Sequence, residues 1–357
     1  MRRSFCLLLI FLLGIQVLYA RQIRFVFISD LHYGLMREFR GHEATADEVN
    51  RVLAAVVRAL PEQNFPDDGG LGAGERIGKL DFVVCGGDIA NRMESGVQSA
   101  AASWAQFART WLAPGMPPMW LLPGNHDISN AIGYTKPLSP ARDATCAAEI
   151  YNRAMHPSEP VTAATFDYAV DRVVCSFVRE GIRFTFVGIW PDAWARQRLG
   201  AMLEADPGTP CLLFTHMPPE AEADRFTNPY GRHTINRTDG FENLICDTCS
   251  VDSTGVPLRE YRLLARFVKE HPALRVWFHG HTNYDEHYLW HGPDGDLALP
   301  VFRVDSPMKG EISEADETQL SFQVVCVDPQ RREICVRTCL WNTPSPGWML
   351  TGRVGLE

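Results

Sequence analysis

The chain has 357 residues, enough for one large domain or two smaller ones and for a sizeable buried core. Hydrophobic residues at 46% and charged residues at 22% are ordinary globular values, which exclude a disordered, fibrous or polytopic membrane chain. The formal charge of −9, from 34 basic and 43 acidic residues with no Lys/Arg run, argues against binding long nucleic acids, which rests on Lys and Arg neutralising phosphates.

Residues 1–20 read as a secretory signal peptide. Arg2 and Arg3 precede a mostly apolar run over 5–18, and Ala20 stands before the expected cut. The run meets Arg21 and Gln22 too soon for a membrane-spanning helix, which needs about 20 apolar residues. Residues 21–357 are then expected as a single domain, secreted or periplasmic, with no stable membrane span. The short run 23–29 (IRFVFIS) is almost wholly apolar, the mark of a strand covered on both faces. Val49, Val52, Leu53, Val56, Val57 and Leu60 recur at three- and four-residue spacing, so 47–60 is an amphipathic helix ended by Pro61. Gly and Pro make 61–80 a loop, and 81–85 (DFVVC) is a second strand. Val97, Trp104, Phe107 and Trp111 mark a helix packed by aromatic residues, and 119–122 (MWLL) is a third strand.

Residues 128–165 show little periodicity and are expected as an irregular surface insertion. Segments 172–177 and 182–189 alternate like an antiparallel pair turning at Glu180-Gly181. A helix at 193–204 and a strand at 211–215 follow, and 218–256 is expected as a second long insertion. Then come a helix at 258–270, a strand at 274–278 and further β structure at 299–304 and 319–340. Nine cysteines lie beyond Cys6, an odd number that implies a free thiol in an oxidising compartment. Cys85, Cys175, Cys211 and Cys326 read as small buried hydrophobes. Cys246 with Cys249, and Cys335 with Cys339, are expected as local disulfides. Asn236-Arg237-Thr238 is a glycosylation sequon.

Chemistry gathers where the strands end. Asp30-Leu31-His32 follows the first strand, Gly86-Gly87-Asp88 the second and Gly124-Asn125-His126-Asp127 the third. His216 ends the strand CLLFT, and His279-Gly280-His281 ends LRVWF. In an open α/β sheet ligands bind beyond the carboxyl ends of the strands, so five such endings converge on one site. Carboxylates, imidazoles and a carboxamide are oxygen and nitrogen donors suited to Mn, Fe, Zn or Mg. Burying them together would cost several kcal/mol per unpaired charge unless a cation compensated them.

The ordered set D-x-H, G-D, G-N-H-D, H and G-H resembles the calcineurin-like metallophosphoesterase superfamily over residues 23 to about 285, and the stretch 177–219 is similar to its secreted phosphatase and phosphodiesterase branch. The resemblance implies a four-layer α/β/β/α sandwich with a dinuclear metal site at the carboxyl ends of the strands. It implies that Asp30 and His32 hold one divalent or mixed-valence ion, that Asn125, His216 and His281 hold the second, and that Asp88 bridges both. His126 is then expected at the substrate phosphate, protonating the leaving oxygen or stabilising charge, with Asp127 orienting it. A metal-bridging hydroxide would attack phosphorus in line, with a phosphoester as the partner.

One position departs from the pattern. Asn283 stands where the family places a second histidine on the first ion, and His279 is an alternative donor two residues before His281. Asp285 and Glu286 read as solvent-exposed, with hydrogen bonding to the ligand histidines as the alternative. Asn91 replaces the tyrosine that purple acid phosphatases use for ferric iron. Asn283 motivates a second expectation, a binding protein on a catalytically decayed scaffold. A third, a nuclease or nucleotide phosphodiesterase, differs from the first only in substrate.

Overall fold

The computed structural model describes residues 21–133, 138–220 and 258–357. The expected signal peptide, the pair Cys246 and Cys249 and the sequon at Asn236 lie outside the described residues.

The first apolar run forms β1 (Ile23–Ile28), and a hairpin of β2 (Met36–Phe39) and β3 (His42–Thr45) follows it. α1 (Ala46–Ala59) starts where Thr45 accepts a hydrogen bond from the Glu48 N–H, with Asp47 and Glu48 in its first turn to complement the helix dipole. β4 (Phe82–Cys85), α2 (Ala100–Trp111) and β5 (Met119–Leu121) come next. α3 (Asn125–Ile132) and α4 (Thr145–Met155) fall largely within the segment expected to be irregular. The buried residues of α4 are Cys146, Ala147, Ala148, Ile150 and Ala154, small side chains that give a weak periodic signal although they fill the interior.

β6 (Val174–Arg179) and β7 (Ile182–Val187) turn through Glu180 and Gly181, both at positive φ as a tight hairpin requires. α5 (Ala193–Glu204), β8 (Cys211–Phe214), α6 (Leu258–Glu270) and β9 (Leu274–His279) continue the alternation. β10 (Glu286–Trp290), β11 (Leu299–Arg303), β12 (Ser321–Asp328), β13 (Glu333–Leu340) and β14 (Gly347–Gly355) complete the described elements.

Two six-stranded sheets result, in the orders β14-β13-β12-β1-β4-β5 and β10-β11-β9-β8-β7-β6. β1, β4 and β5 run parallel, as do β7, β8, β9 and β11, so their carboxyl ends share one edge of the sandwich. Between the sheets lies an aromatic layer. Phe25 and Phe27 of β1 meet Phe214 of β8 and Phe278 of β9 edge-on, with ring centroids 5.4–6.2 Å apart. Phe214 stacks on Phe278 at 4.9 Å and on Phe186 at 5.1 Å. Trp111 and Phe107 belong to the same continuous core, while Leu199, Leu203, Leu213 and Trp277 form a second one under α5 and α6.

The seven described cysteines are all free. The expected pairing of Cys335 with Cys339 is incorrect, because both lie on β13 four residues apart. At about 3.3 Å per residue that separation is roughly twice what a disulfide spans. The residue opposite Cys335 is Cys326 on β12. Among the described residues no helix is long and apolar enough to cross a membrane.

Phe214 touches three elements of this aromatic layer, so Phe214→Ala is expected to lower unfolding free energy by about 3–5 kcal/mol. Urea denaturation followed by tryptophan fluorescence measures it, and a loss below about 1 kcal/mol would contradict a packed interface between the sheets.

Candidate metal and catalytic centre

The strand endings converge as the sequence predicts. Asp88 Oδ2 is the hub, lying 3.5 Å from His216 Nε2, 3.8 Å from His126 Nε2 and 3.9 Å from His32 Nε2. His32 Nε2 is also 3.7 Å from Asp30 Oδ1. Asn125 Oδ1 sits 2.7 Å from His216 Nε2 and 3.2 Å from His281 Nδ1. Two groups of donors therefore share Asp88: Asp30 with His216, and His32 with His126. Burial, with Asp30 and Asp127 adding to it, pushes the Asp88 carboxyl up to about 7, while His216 opposes the shift.

The loops that carry these side chains are strained and tightly apposed. Asp30, His32, Asp88, His281 and Asn283 all have positive φ, between 42° and 70°, a conformation that non-glycine residues adopt at a cost. The motif glycines are required by contact. A Cβ on Gly124 would collide with Asp88, and one on Gly280 would collide with Ser29 and the Asp30 carboxylate. Backbone N–H groups hold the outer oxygens: His281 donates to Asp30 Oδ2 at 2.8 Å, and His126 donates to Asp88 Oδ1 at 2.8 Å. The opposite oxygen of each carboxylate is left facing the imidazoles.

Hydrogen bonds to the far ring nitrogens fix what each histidine can do. His216 is held between two acceptors, the Gly86 carbonyl 3.0 Å from Nδ1 and Asn125 Oδ1 2.7 Å from Nε2, and a neutral ring can donate to only one of them; with its proton on Nδ1, Nε2 is bare toward the centre and a cation would take the place of the second proton. His126 is the reverse. Its Nδ1 accepts the Arg92 backbone N–H at 3.0 Å, so the neutral ring carries its proton on Nε2, the atom facing Asp88. A nitrogen bearing a proton cannot ligate a cation, which removes His126 from the ligand set despite its position. Burial, then Lys309 and Arg92, hold the His126 pKa well below the ordinary range, in keeping with a neutral ring.

Asp127 acts on His126 indirectly. No hydrogen bond joins it to the His126 ring. Its oxygens accept the N–H groups of Gly124 at 2.9 Å, Ala90 at 2.9 Å and Ile89 at 3.2 Å, fastening the loop after β4 to the start of α3. Asn130 adds to this clasp, accepting from Met93 N and donating to the Asn91 carbonyl, both at 2.9 Å. The clasp sets the Arg92 N–H against His126, so Asp127 orients the ring through the backbone.

Asn283 Oδ1 and Asp30 Oδ1 are each buried with no hydrogen-bond partner among the described residues, which leaves each acceptor open to a cation. His279 is otherwise engaged: Nδ1 bonds the Gly280 carbonyl at 2.8 Å and Nε2 meets the Tyr288 hydroxyl at 3.1 Å. Asp285, expected at the surface, instead accepts from Gln323 at 2.8 Å and Thr338 at 2.5 Å, and Glu286 pairs with Arg303.

A family model described as calcineurin-like phosphoesterase matches residues 23–285, and the chain belongs to that family. Metal-dependent phosphoester hydrolysis is the chemistry of the family, and the clustered ligand groups agree with it. Among solved structures, a dimetal phosphatase from Danio rerio aligns with 92% of this chain and 99% of its own, at 11% identity and a TM-score of 0.53, which supports the shared fold. A zinc-complexed Vps29 from Entamoeba histolytica aligns with 94% of this chain and 100% of its own, at 8% identity and a TM-score of 0.35. No curated protein matches the chain in sequence.

Because Asp88 Oδ2 faces both donor groups, Asp88→Ala is expected to abolish tight metal binding while circular dichroism stays unchanged. Added Mn or Zn should raise the melting temperature of the parent protein and leave that of the variant unmoved. An equal rise in both would remove Asp88 from the ligand set.

Proposed function

We propose that the chain is an exported phosphoesterase that hydrolyses small phosphoesters with two metal ions, acting outside the cytoplasm. The Asp88 oxygen that faces two unlike rings carries this reading: His126 has its proton on Nε2 because Arg92 N–H occupies Nδ1, and His216, with Nδ1 toward the Gly86 carbonyl, can turn a bare Nε2 to a cation. One ring offers a lone pair to a cation and the other offers an N–H to an anion. A purely structural cluster has no need of both.

In this reading Asp30, His32 and Asn283 hold one ion, Asn125, His216 and His281 hold the other, and Asp88 lies between them. Mn, Fe, Zn or Mg suits this donor set. Bound divalent ions supply an acidified water as nucleophile and the charge that polarises the phosphoryl group. The protein's own contribution is orientation. The paired N–H groups of His126 and His281 aim one oxygen of Asp88 and one of Asp30 outward, leaving the other oxygen of each for the ions.

His126 acts as a hydrogen-bond donor to the phosphoryl charge that grows in the transition state. Protonating the leaving oxygen would require either an imidazolium, whose second N–H would clash with that of Arg92, or an imidazolate product. Of the two roles expected for this residue, charge stabilisation is the one its hydrogen bonding supports. Asn283 supports catalysis over decay, because its buried Oδ1 keeps a donor at the position where the family has histidine. Export rests on the character of residues 1–20.

Metal-stripped protein lacking residues 1–20 should regain turnover of a chromogenic phosphomonoester or the matching diester when Mn, Zn, Fe or Mg is titrated in. His126→Ala should lower kcat by about 10²–10³, and His126→Gln should recover part of it through the amide N–H. Absence of turnover with every metal and both esters, in folded protein, would overturn the reading.

A further inference from the structure

Another charged residue stands at a strand end on the edge where the centre lies, outside every motif. Arg303 is the last residue of β11, which runs parallel to β9, so it shares the edge of the motif endings. In the ladder it sits between Glu286 of β10 and His279 of β9. Its side chain is buried.

The contacts of its guanidinium gather on one short segment. Nη1 donates to Thr282 Oγ1 at 2.9 Å, Cζ lies 3.7 Å from the Tyr284 ring centroid and 5.4 Å from that of Tyr288, and Nη2 pairs with Glu286. These are the alternate positions 282, 284, 286 and 288. One planar group therefore grips a single side of the segment that leads away from His281.

We propose that Arg303 is a positioning residue of the metal centre: by holding Thr282 it keeps His281 aimed at Asp30 and Asn125. This rests on the phosphoesterase reading above.

Thr282 stands between two strained residues, His281 at φ 70° and Asn283 at φ 59°. Such conformations persist only where the surroundings over-determine them. On one flank the His281 N–H bonds Asp30 Oδ2 at 2.8 Å, and its ring Nδ1 lies 3.2 Å from Asn125 Oδ1. On the other, the Glu311 N–H bonds the Asn283 carbonyl at 2.7 Å. The hydroxyl held by Arg303 is the pin between these two attachments. Without it the segment can relax toward ordinary φ, drawing the N–H off Asp30 and the ring away from Asn125, and the donors lose their aim.

A purely structural role needs less than this. Glu286, directly across the ladder, already supplies a counter-charge for a buried cation, and a lysine could take it up equally well. Reaching Thr282 from the same group requires the fixed fork of a guanidinium.

The test uses protein lacking residues 1–20, titrated with Mn and with Co, and read by calorimetry and by the visible absorption of bound Co, which reports its coordination. Arg303→Lys should bind each metal at least about tenfold more weakly and alter the Co spectrum, the scale of a lost partner behind a ligand. Thr282→Val removes the hydroxyl alone and should show the same loss, with the melting temperature of the metal-free protein near that of the parent. Glu286→Gln should lower that melting temperature yet keep the metal affinity. Parent-like affinity and spectrum in folded Arg303→Lys and Thr282→Val would overturn the proposal, as would an equal loss in Glu286→Gln. A parent that binds neither metal overturns this proposal and the phosphoesterase reading together. If metal binding depends on Arg303 and Thr282 but neither ester is hydrolysed, the enzyme reading fails and the positioning role stands. If the parent hydrolyses an ester and both variants bind metal as it does, the enzyme reading stands and this proposal fails.

Discussion

Asp88 is buried with Asp30 and Asp127 at the meeting point of the two sheets, and among the described residues no lysine or arginine forms an ion pair with it. Solvation lost by a carboxylate in such a place amounts to several kcal/mol, and two backbone N–H groups return only part of it to the pair Asp30 and Asp88. The remaining deficit is what makes the centre a cation site. It also dictates the surroundings: Asp88 can stay buried only if the loops around it are held rigid, because a small relaxation would bring water in and release the demand for a cation.

Rigidity comes from two sources of unlike kind. The aromatic layer of Phe25, Phe27, Phe214 and Phe278 fixes β1, β8 and β9 relative to each other, and with them Asp30, His216 and His281. Beyond the strand ends packing gives way to hydrogen bonds. Asp127 and Asn130 clasp the loop after β4, and Ser306 and Arg37 clasp the loop after β11. Neither carboxylate nor carboxamide in these clasps faces the chemistry, yet each decides where a group that does will point.

This division explains what could be read from the sequence. Short apolar runs ending in Asp30, Asp88, Asn125, His216 and His281 were legible because burial on both faces makes such strands conspicuous, and ionisable residues after each run stand out against them. The turn at Glu180-Gly181 and the bounds of α5 were legible for similar local reasons. α4 was not, since alanines carry its buried face, and β10 and β14, partly exposed, show no continuous apolar run. How Asp127 would orient His126 was not legible, because its long-range partners are backbone N–H groups 37 and 38 positions away, which no side-chain motif encodes. Arg92 acts through its backbone N–H, so composition and spacing were silent on it.

The departure at Asn283 acquires a physical sense from the backbone. Residues 281 and 283 both adopt the left-handed conformation, with φ of 70° and 59°. Each such residue costs on the order of 1–3 kcal/mol, but asparagine pays the least of the non-glycine residues because its short amide tolerates that region. His281 cannot give up its ring, since Nδ1 faces Asn125 Oδ1 across the centre. Position 283 can exchange imidazole for a carboxamide and still present a buried oxygen. The exchange relieves strain on a segment already fixed by the Glu311 N–H on the Asn283 carbonyl, and it replaces a nitrogen donor by a neutral oxygen donor. Oxygen donors favour harder ions, so in the proposed reading, with Asn283 as a ligand, that half of the centre would prefer Mn or Mg.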